Sequence, residues 1–255
     1  MPRRTAIPIA HHVMLRTEER RVLAPSVAQR RALATAVHAF AERAGLLAFR
    51  GSDTHIHLVL LADRALAGRT ARALSYALHA RLGLEAPFEP ARIKPVDSQS
   101  HLENVFDYVL RQDARHGFDS DPWHDASVLP DLLGLRAMGG DVRRRMREYL
   151  PRVGRDRLLA RLGVETLHPG TDTSIGVEAA AAAVARPDLS GKARDVCAAR
   201  RALLALFDEA GAPHPFERSV ACRLRRIPAE PRLLRAISLQ IGFREDVRAT
   251  RLDTG

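Results

Sequence analysis

Lysine is nearly missing from this chain: Lys94 and Lys192 are the only two among 40 basic residues. There are only two cysteines, Cys197 and Cys222, with neither zinc-ligand spacing nor a disulfide framework. They read as small buried residues of a reduced compartment, in preference to free surface thiols. Aromatics make up 5% of the residues, with three tyrosines and one tryptophan, so each tyrosine can be weighed singly. No apolar run approaches the length of a membrane span. The first residues carry no apolar stretch of secretory-signal length, which sets the expectation of a cytoplasmic protein. No glycine-rich loop of the Walker type is present, which argues against a nucleotide-driven motor.

What is present is a hydrophobic content of 46% over 255 residues, enough for one large domain or two modest ones and unlike a disordered chain. The formal charge is +10. Residues 1–133 hold 17 basic against 15 acidic residues, a net of +2, and residues 134–255 hold 23 against 15, a net of +8. A basic surface attracts polyanions, so the second half carries the electrostatic case for nucleic acid. The first half must be judged on its chemistry.

That half alternates strand and helix signals. Ala10 to Thr17 reads as a strand and Pro25 to Ala44 as a helix, with Val27, Leu33, Val37 and Phe40 at helical spacing and Gly45 at its end. Leu46 to Arg50 and Thr54 to Leu61 read as strands joined by the Gly51-Ser52-Asp53 turn. Leu66 to Leu82 reads as a helix closed by Gly83, and Phe88 to Val96 as a further extended segment. Ser100 to Arg115 reads as a helix, with Ser100 and Glu103 at capping-box spacing. The order β-α-β-β-α-β followed by a helix predicts an α+β fold, a ferredoxin-like or RRM-like antiparallel sheet with helices on one face. Domains are expected over 1–134 and 135–255. The second is read as a basic helical region: a helix over Asp141 to Leu150, a loop over Leu167 to Gly176, an alanine-rich stretch with little packing information over Glu178 to Ala185, and a helix over Lys192 to Ala210. A candidate helix-turn-helix lies near 231–251, turning at Ile241-Gly242-Phe243.

His55-Ile56-His57 falls inside a strand, where residues i and i+2 share a face, so both imidazoles can reach one cation. With eleven histidines in the chain, such a pair also arises readily by chance. Tyr108 adds to it. Leu102, Val105, Phe106, Val109 and Leu110 form the apolar stripe of the late helix, and Tyr108 lies roughly 130° from the stripe's centre. Gln112, one turn on, can offer an amide oxygen as a third metal ligand. A half-buried tyrosine at the core rim is the plainer alternative, and Tyr76 and Tyr149 are rival nucleophiles. Arg111 and Arg115 share the tyrosine's face and are candidates for contacting DNA phosphates, equally an ordinary solvated surface. Arg143, Arg144, Arg145 and Arg147 form a stronger basic stripe for DNA. His116 and His124 receive no role.

The segments HHVMLRT (11–17), THIHLVL (54–60), KPVDS..HL (94–102), YVLRQDARHGF (108–118) and W..AS.LPDLLG (123–134) resemble the single-tyrosine HuH transposases. They are most similar to the REP-associated tyrosine transposase branch of the insertion-sequence-200-like group. The resemblance covers about residues 8–134, and His57 and Tyr108 stand 51 positions apart, within the family's spacing of roughly fifty to sixty. Departures are Arg16-Thr17 where the family has Arg-Gly, and Gln112-Asp113 where it has Asn-Pro. The resemblance implies Tyr108 as the nucleophile, Mg²⁺ or Mn²⁺ on His55, His57 and Gln112, and hairpin-containing single-stranded DNA as the partner, cut through a 5′-phosphotyrosine intermediate. A free phenol titrates near 10 and is a poor nucleophile unless the phosphate is made more electrophilic, which a Lewis-acid cation does. The ligand chemistry by itself leaves the metal open, since imidazoles also suit zinc. Two other readings stand beside this one: a non-catalytic DNA-binding regulator derived from such a transposase, and a hydrolase whose histidines activate water. Either a monomer or a homodimer is compatible with the sequence.

Overall fold

The computed structural model describes residues 7–18, 22–112, 125–160 and 164–252, with residues 247–252 as backbone only. The chain divides into two compact units, Met1–Leu129 with Asp141–Val153, and Pro130–Gly140 with Gly154–Gly255. The division is interleaved, where the sequence predicts one boundary at 134/135. The helix Gly140–Tyr149, expected with the C-terminal region, belongs almost wholly to the first unit. The cause is visible in Arg145: its guanidinium donates to the Glu42 carboxylate at 3.0 Å and to the carbonyls of Leu46 at 2.9 Å and Glu42 at 3.2 Å.

The first unit carries a four-stranded antiparallel sheet in the order β2-β3-β1-β4, with β1 Ala10–Arg16, β2 Leu46–Gly51, β3 His55–Leu60 and β4 Arg92–Val96. With helix α1 (Val27–Ala41) between β1 and β2, and α2 (Arg64–Leu82) between β3 and β4, this is the ferredoxin-like arrangement predicted from element order. The helices start where local chemistry tells them to. Ser26 and Gln29 form a capping box for α1, and the Asp63 carboxylate accepts from the Leu66 amide at the head of α2. Gly45, at φ 69°, turns the chain into β2. A Cβ there would come 2.9 Å from that of Leu61, so both the left-handed backbone and the close approach require glycine.

Strand alternation separates two chemistries. Val13, Leu15, Phe49, Ile56, Leu58 and Leu60 are fully buried and share one face by register. That face meets α1, whose His38 ring stands edge-on to Phe49, and α2, whose Gly68 faces Ile93. The opposite face bears His12, Met14, Arg16, His55, His57, Arg92 and Lys94. Helix α3 (Gln99–Leu110) covers part of it through contacts with β2 and β3. Thus α1 and α2 share a face, as expected, and α3 takes the other. Its N-cap is Ser98, whose hydroxyl accepts from the His101 amide at 3.2 Å, not Ser100. The earlier serine is the one with extended backbone dihedrals, φ −148° and ψ 162°, which a capping residue needs.

In the second unit, α5 (Gly176–Ala183) is surrounded by α6 (Arg194–Glu209) and α7 (Pro231–Leu252); α4 denotes Gly140–Tyr149. Ala179, Ala180, Ala181 and Ala183, in a stretch whose sequence carries little packing information, are buried in this core with Val196, Leu203, Phe207 and Ile237. Small side chains let neighbouring helices approach closely, and here alanine is the packing residue. The expected helix-turn-helix near 231–251 is absent: 231–252 is one continuous helix. Gly242 sits inside it because the backbone of His168 and Gly170 runs directly against it, leaving no room for a Cβ. That loop is held by Gly170 N donating to the Ser238 carbonyl at 2.9 Å and by Glu245 accepting from the amides of Thr171 and Asp172. The glycine thus marks a close approach, a signal easily mistaken for a turn. No described helix is long and apolar enough to cross a membrane.

Candidate active site

His55 and His57 leave β3 on the same face, with ring centroids 4.6 Å apart and planes at 86°. Helix α3 brings Tyr108 over them. The Tyr108 ring stands edge-on to His57 with centroids 5.3 Å apart, and edge-on to a third imidazole, His12, at 5.7 Å. Of the three tyrosines, Tyr108 alone makes ring contact with histidines among the described residues. Tyr76 is 66% exposed on α2 beneath the Arg72 guanidinium, and Tyr149 is an exposed residue at the end of α4. Tyr108 stays half-buried because the stripe of Leu102, Phe106 and Val109 fixes the rotation of α3 on the sheet.

His12 is the residue that sequence reasoning missed. Its Nε2 lies 2.9 Å from His57 Nδ1, and the two rings stack at 5.1 Å with an interplanar angle of 28°. The register explains the meeting: Met14 pairs with His57 and His12 with Val59, so the two imidazoles are diagonal neighbours on one face. The adjacent His11 points the other way, buried, with Nδ1 2.8 Å from the Ala62 carbonyl. Burial, reinforced by the charge of Lys94 and by His101, pushes the His12 imidazole down to about 4.

Gln112 is buried just past the end of α3, after the C-cap Arg111, and its amide nitrogen donates to the Tyr108 carbonyl at 3.0 Å. That bond leaves the amide oxygen as the group able to meet a cation. Two imidazoles on one strand face are donors that suit a divalent ion and leave coordination positions for further ligands. No group of three or more His, Cys, Asp or Glu residues at metal-holding spacing occurs among the described residues.

The arginine candidates separate. Arg111 is mostly exposed, with Asp107 4.0 Å away; Arg115, His116 and His124 lie outside the described residues. On α4, Arg144 lies exposed between Asp141 and Glu148, at 3.7 and 3.6 Å, and Arg147 is exposed. Arg143 is half-buried. Arg145 has to be removed from the DNA-facing set: at 13% exposure its guanidinium serves Glu42 and the backbone. A basic stripe read from the sequence does not say which of its members folds inward. The sheet itself supplies further cations. Arg92 pairs with Met14, Lys94 with His12 and Arg16 with His55, which lines one side of the histidine cluster with positive charge.

Neither a protein-family model nor a curated protein matches the chain. Among solved structures it is similar to a REP-associated tyrosine transposase bound to a REP hairpin, at 16% sequence identity and a TM-score of 0.38, over 47% of this chain and 75% of that one.

Proposed function

We propose that the first unit is a single-stranded DNA nicking and rejoining enzyme of the transposase type, with Tyr108 as nucleophile. The observation that carries this reading is the placement of the Tyr108 ring directly against His57, on the sheet face that also bears His55 and His12. The sequence motifs that resemble the single-tyrosine HuH transposases support it.

In this reading the Tyr108 oxygen forms a bond to the phosphorus of a phosphodiester, and the bond from phosphorus to the 3′ oxygen breaks. The departing 3′ oxygen ends protonated as a hydroxyl, and the 5′ phosphate remains on the tyrosine. Attack by a 3′-hydroxyl reverses the exchange, so rejoining conserves one phosphodiester and needs no nucleotide. His55, His57 and Gln112 would hold Mg²⁺ or Mn²⁺, which when bound withdraws charge from the non-bridging oxygens. Arg16, Arg92 and Lys94 flank the same face and suit a strand of phosphates running past the tyrosine. Arg111, Arg143, Arg144 and Arg147 extend the positive surface for flanking DNA.

The test is incubation with a hairpin-bearing single-stranded oligonucleotide and Mn²⁺. A covalent protein–DNA band that vanishes in Tyr108→Phe and in His57→Ala supports the enzyme. Binding without such a band supports a DNA-binding regulator instead, and cleavage that survives Tyr108→Phe but fails in His57→Ala supports a water-activating hydrolase.

A further inference from the structure

The contact between His12 and His57 constrains which nitrogen of His57 can act. A neutral imidazole carries one proton, so its two nitrogens have opposite roles. With 2.9 Å between His12 Nε2 and His57 Nδ1, one of these atoms donates and the other accepts. If His12 donates, His57 Nδ1 holds its lone pair inward and Nε2 bears the proton, useless to a cation. If His57 donates, Nδ1 bears the proton and the Nε2 lone pair is available.

We propose that His12 is a positioning residue that accepts the Nδ1 proton of His57, holding this histidine in the tautomer and ring orientation that offer Nε2 as a metal ligand beneath Tyr108. The inference rests on the reading of His57 as a ligand; the tautomer itself can be observed without metal. The surroundings favour a fixed arrangement over a chance contact. The rings stack at 5.1 Å, both meet the Tyr108 edge, and the β1–β3 register sets their backbones. Hydrogen-bond partners of this kind orient metal-ligating histidines and raise their basicity, and their loss typically lowers metal affinity about 10–100-fold.

The experiment uses the full chain, labelled with ¹⁵N at histidine, and compares wild type, His12→Phe and His12→Gln. Long-range nitrogen–proton spectra of the metal-free protein at pH 7.5 report the His57 tautomer, and Mn²⁺ titration calorimetry reports affinity. Wild type is expected to hold the proton on His57 Nδ1. His12→Phe, which keeps a ring but accepts no hydrogen bond, is expected to move His57 to the other tautomer or to a mixture and to weaken Mn²⁺ binding about 10–100-fold. His12→Gln, which keeps an acceptor, is expected to recover most of both signals. A wild-type proton on Nε2, or a His57 tautomer unchanged in His12→Phe, overturns the proposal. If wild type shows the expected tautomer and its dependence on His12 but binds no Mn²⁺, the positioning role of His12 stands and the metal reading of the site falls.

Discussion

Tyr108 approaches His57 edge-on, with ring centroids 5.3 Å apart and planes at 84°. A late helix and a central strand thereby bring together a phenol and an imidazole 51 positions apart in sequence, on a sheet face that also carries Arg16, Arg92 and Lys94. Replacing Tyr108 with phenylalanine keeps the ring and removes only the oxygen. The variant is expected to unfold within about 1 kcal/mol of wild type, while covalent capture of DNA falls below detection. Urea unfolding and a denaturing gel on the same preparation separate the two effects.

The α4 arginines are expected to divide between stability and binding. Arg145→Ala removes one donor each from the Glu42 carboxylate and from the carbonyls of Leu46 and Glu42, so a loss of about 2–4 kcal/mol is expected in chemical denaturation. Arg147→Ala removes an exposed side chain and should cost less than about 0.5 kcal/mol. If Arg147 touches a phosphate, the salt slope of single-strand binding falls by about 0.7.

The metal-free protein is expected to lose stability as pH falls from about 6.5 to about 4. The folded state holds the His12 imidazole down to about 4 against an ordinary value of 6.5. In that window the unfolded chain binds the extra proton and the folded one does not, so acid favours unfolding. His12 contributes its full share above the window and none of it below, a difference of at most about 3 kcal/mol. Comparing urea unfolding of wild type and His12→Phe at pH 7, 5.5 and 4.5 isolates this contribution, and wild type should lose stability more steeply than the variant as pH falls.

Two glycines in helices are expected to respond to alanine with opposite signs. Gly140 has helical dihedrals and open space where a Cβ would go, so Gly140→Ala should stabilise by about 0.5–1 kcal/mol. Gly242 has the His168 and Gly170 backbone against it. Its replacement should cost about 2–4 kcal/mol despite alanine's better helix propensity, measured as a drop in the thermal midpoint.

Local patterns made much of the first unit legible. Period-two spacing in 55–57, helical spacing in 27–40 and the stops at Gly45 and Gly83 each act over a few residues, and the element order they define matches the sheet observed. The pairing of His55 with His57 follows from a period of two. What escaped depends on register between distant strands: alternation in AHHVMLR sets His12 on the face of Met14 and Arg16, but only the β1–β3 pairing brings it beside His57. Arg145 escaped for a similar reason, since a helical stripe of four arginines shows no inward member until Glu42 is brought beside it. The second unit was least legible because an alanine core and a glycine at a close approach imitate weak packing and a turn.

The most direct test is to trap the protein with a Mn²⁺-supplemented hairpin oligonucleotide, digest the complex and identify the peptide that carries DNA by mass spectrometry. The account predicts a 5′-linked nucleotide on the peptide containing Tyr108, absent from Tyr108→Phe. A nucleotide on Tyr76 or Tyr149, or strand cleavage with no protein-linked DNA at all, would contradict it.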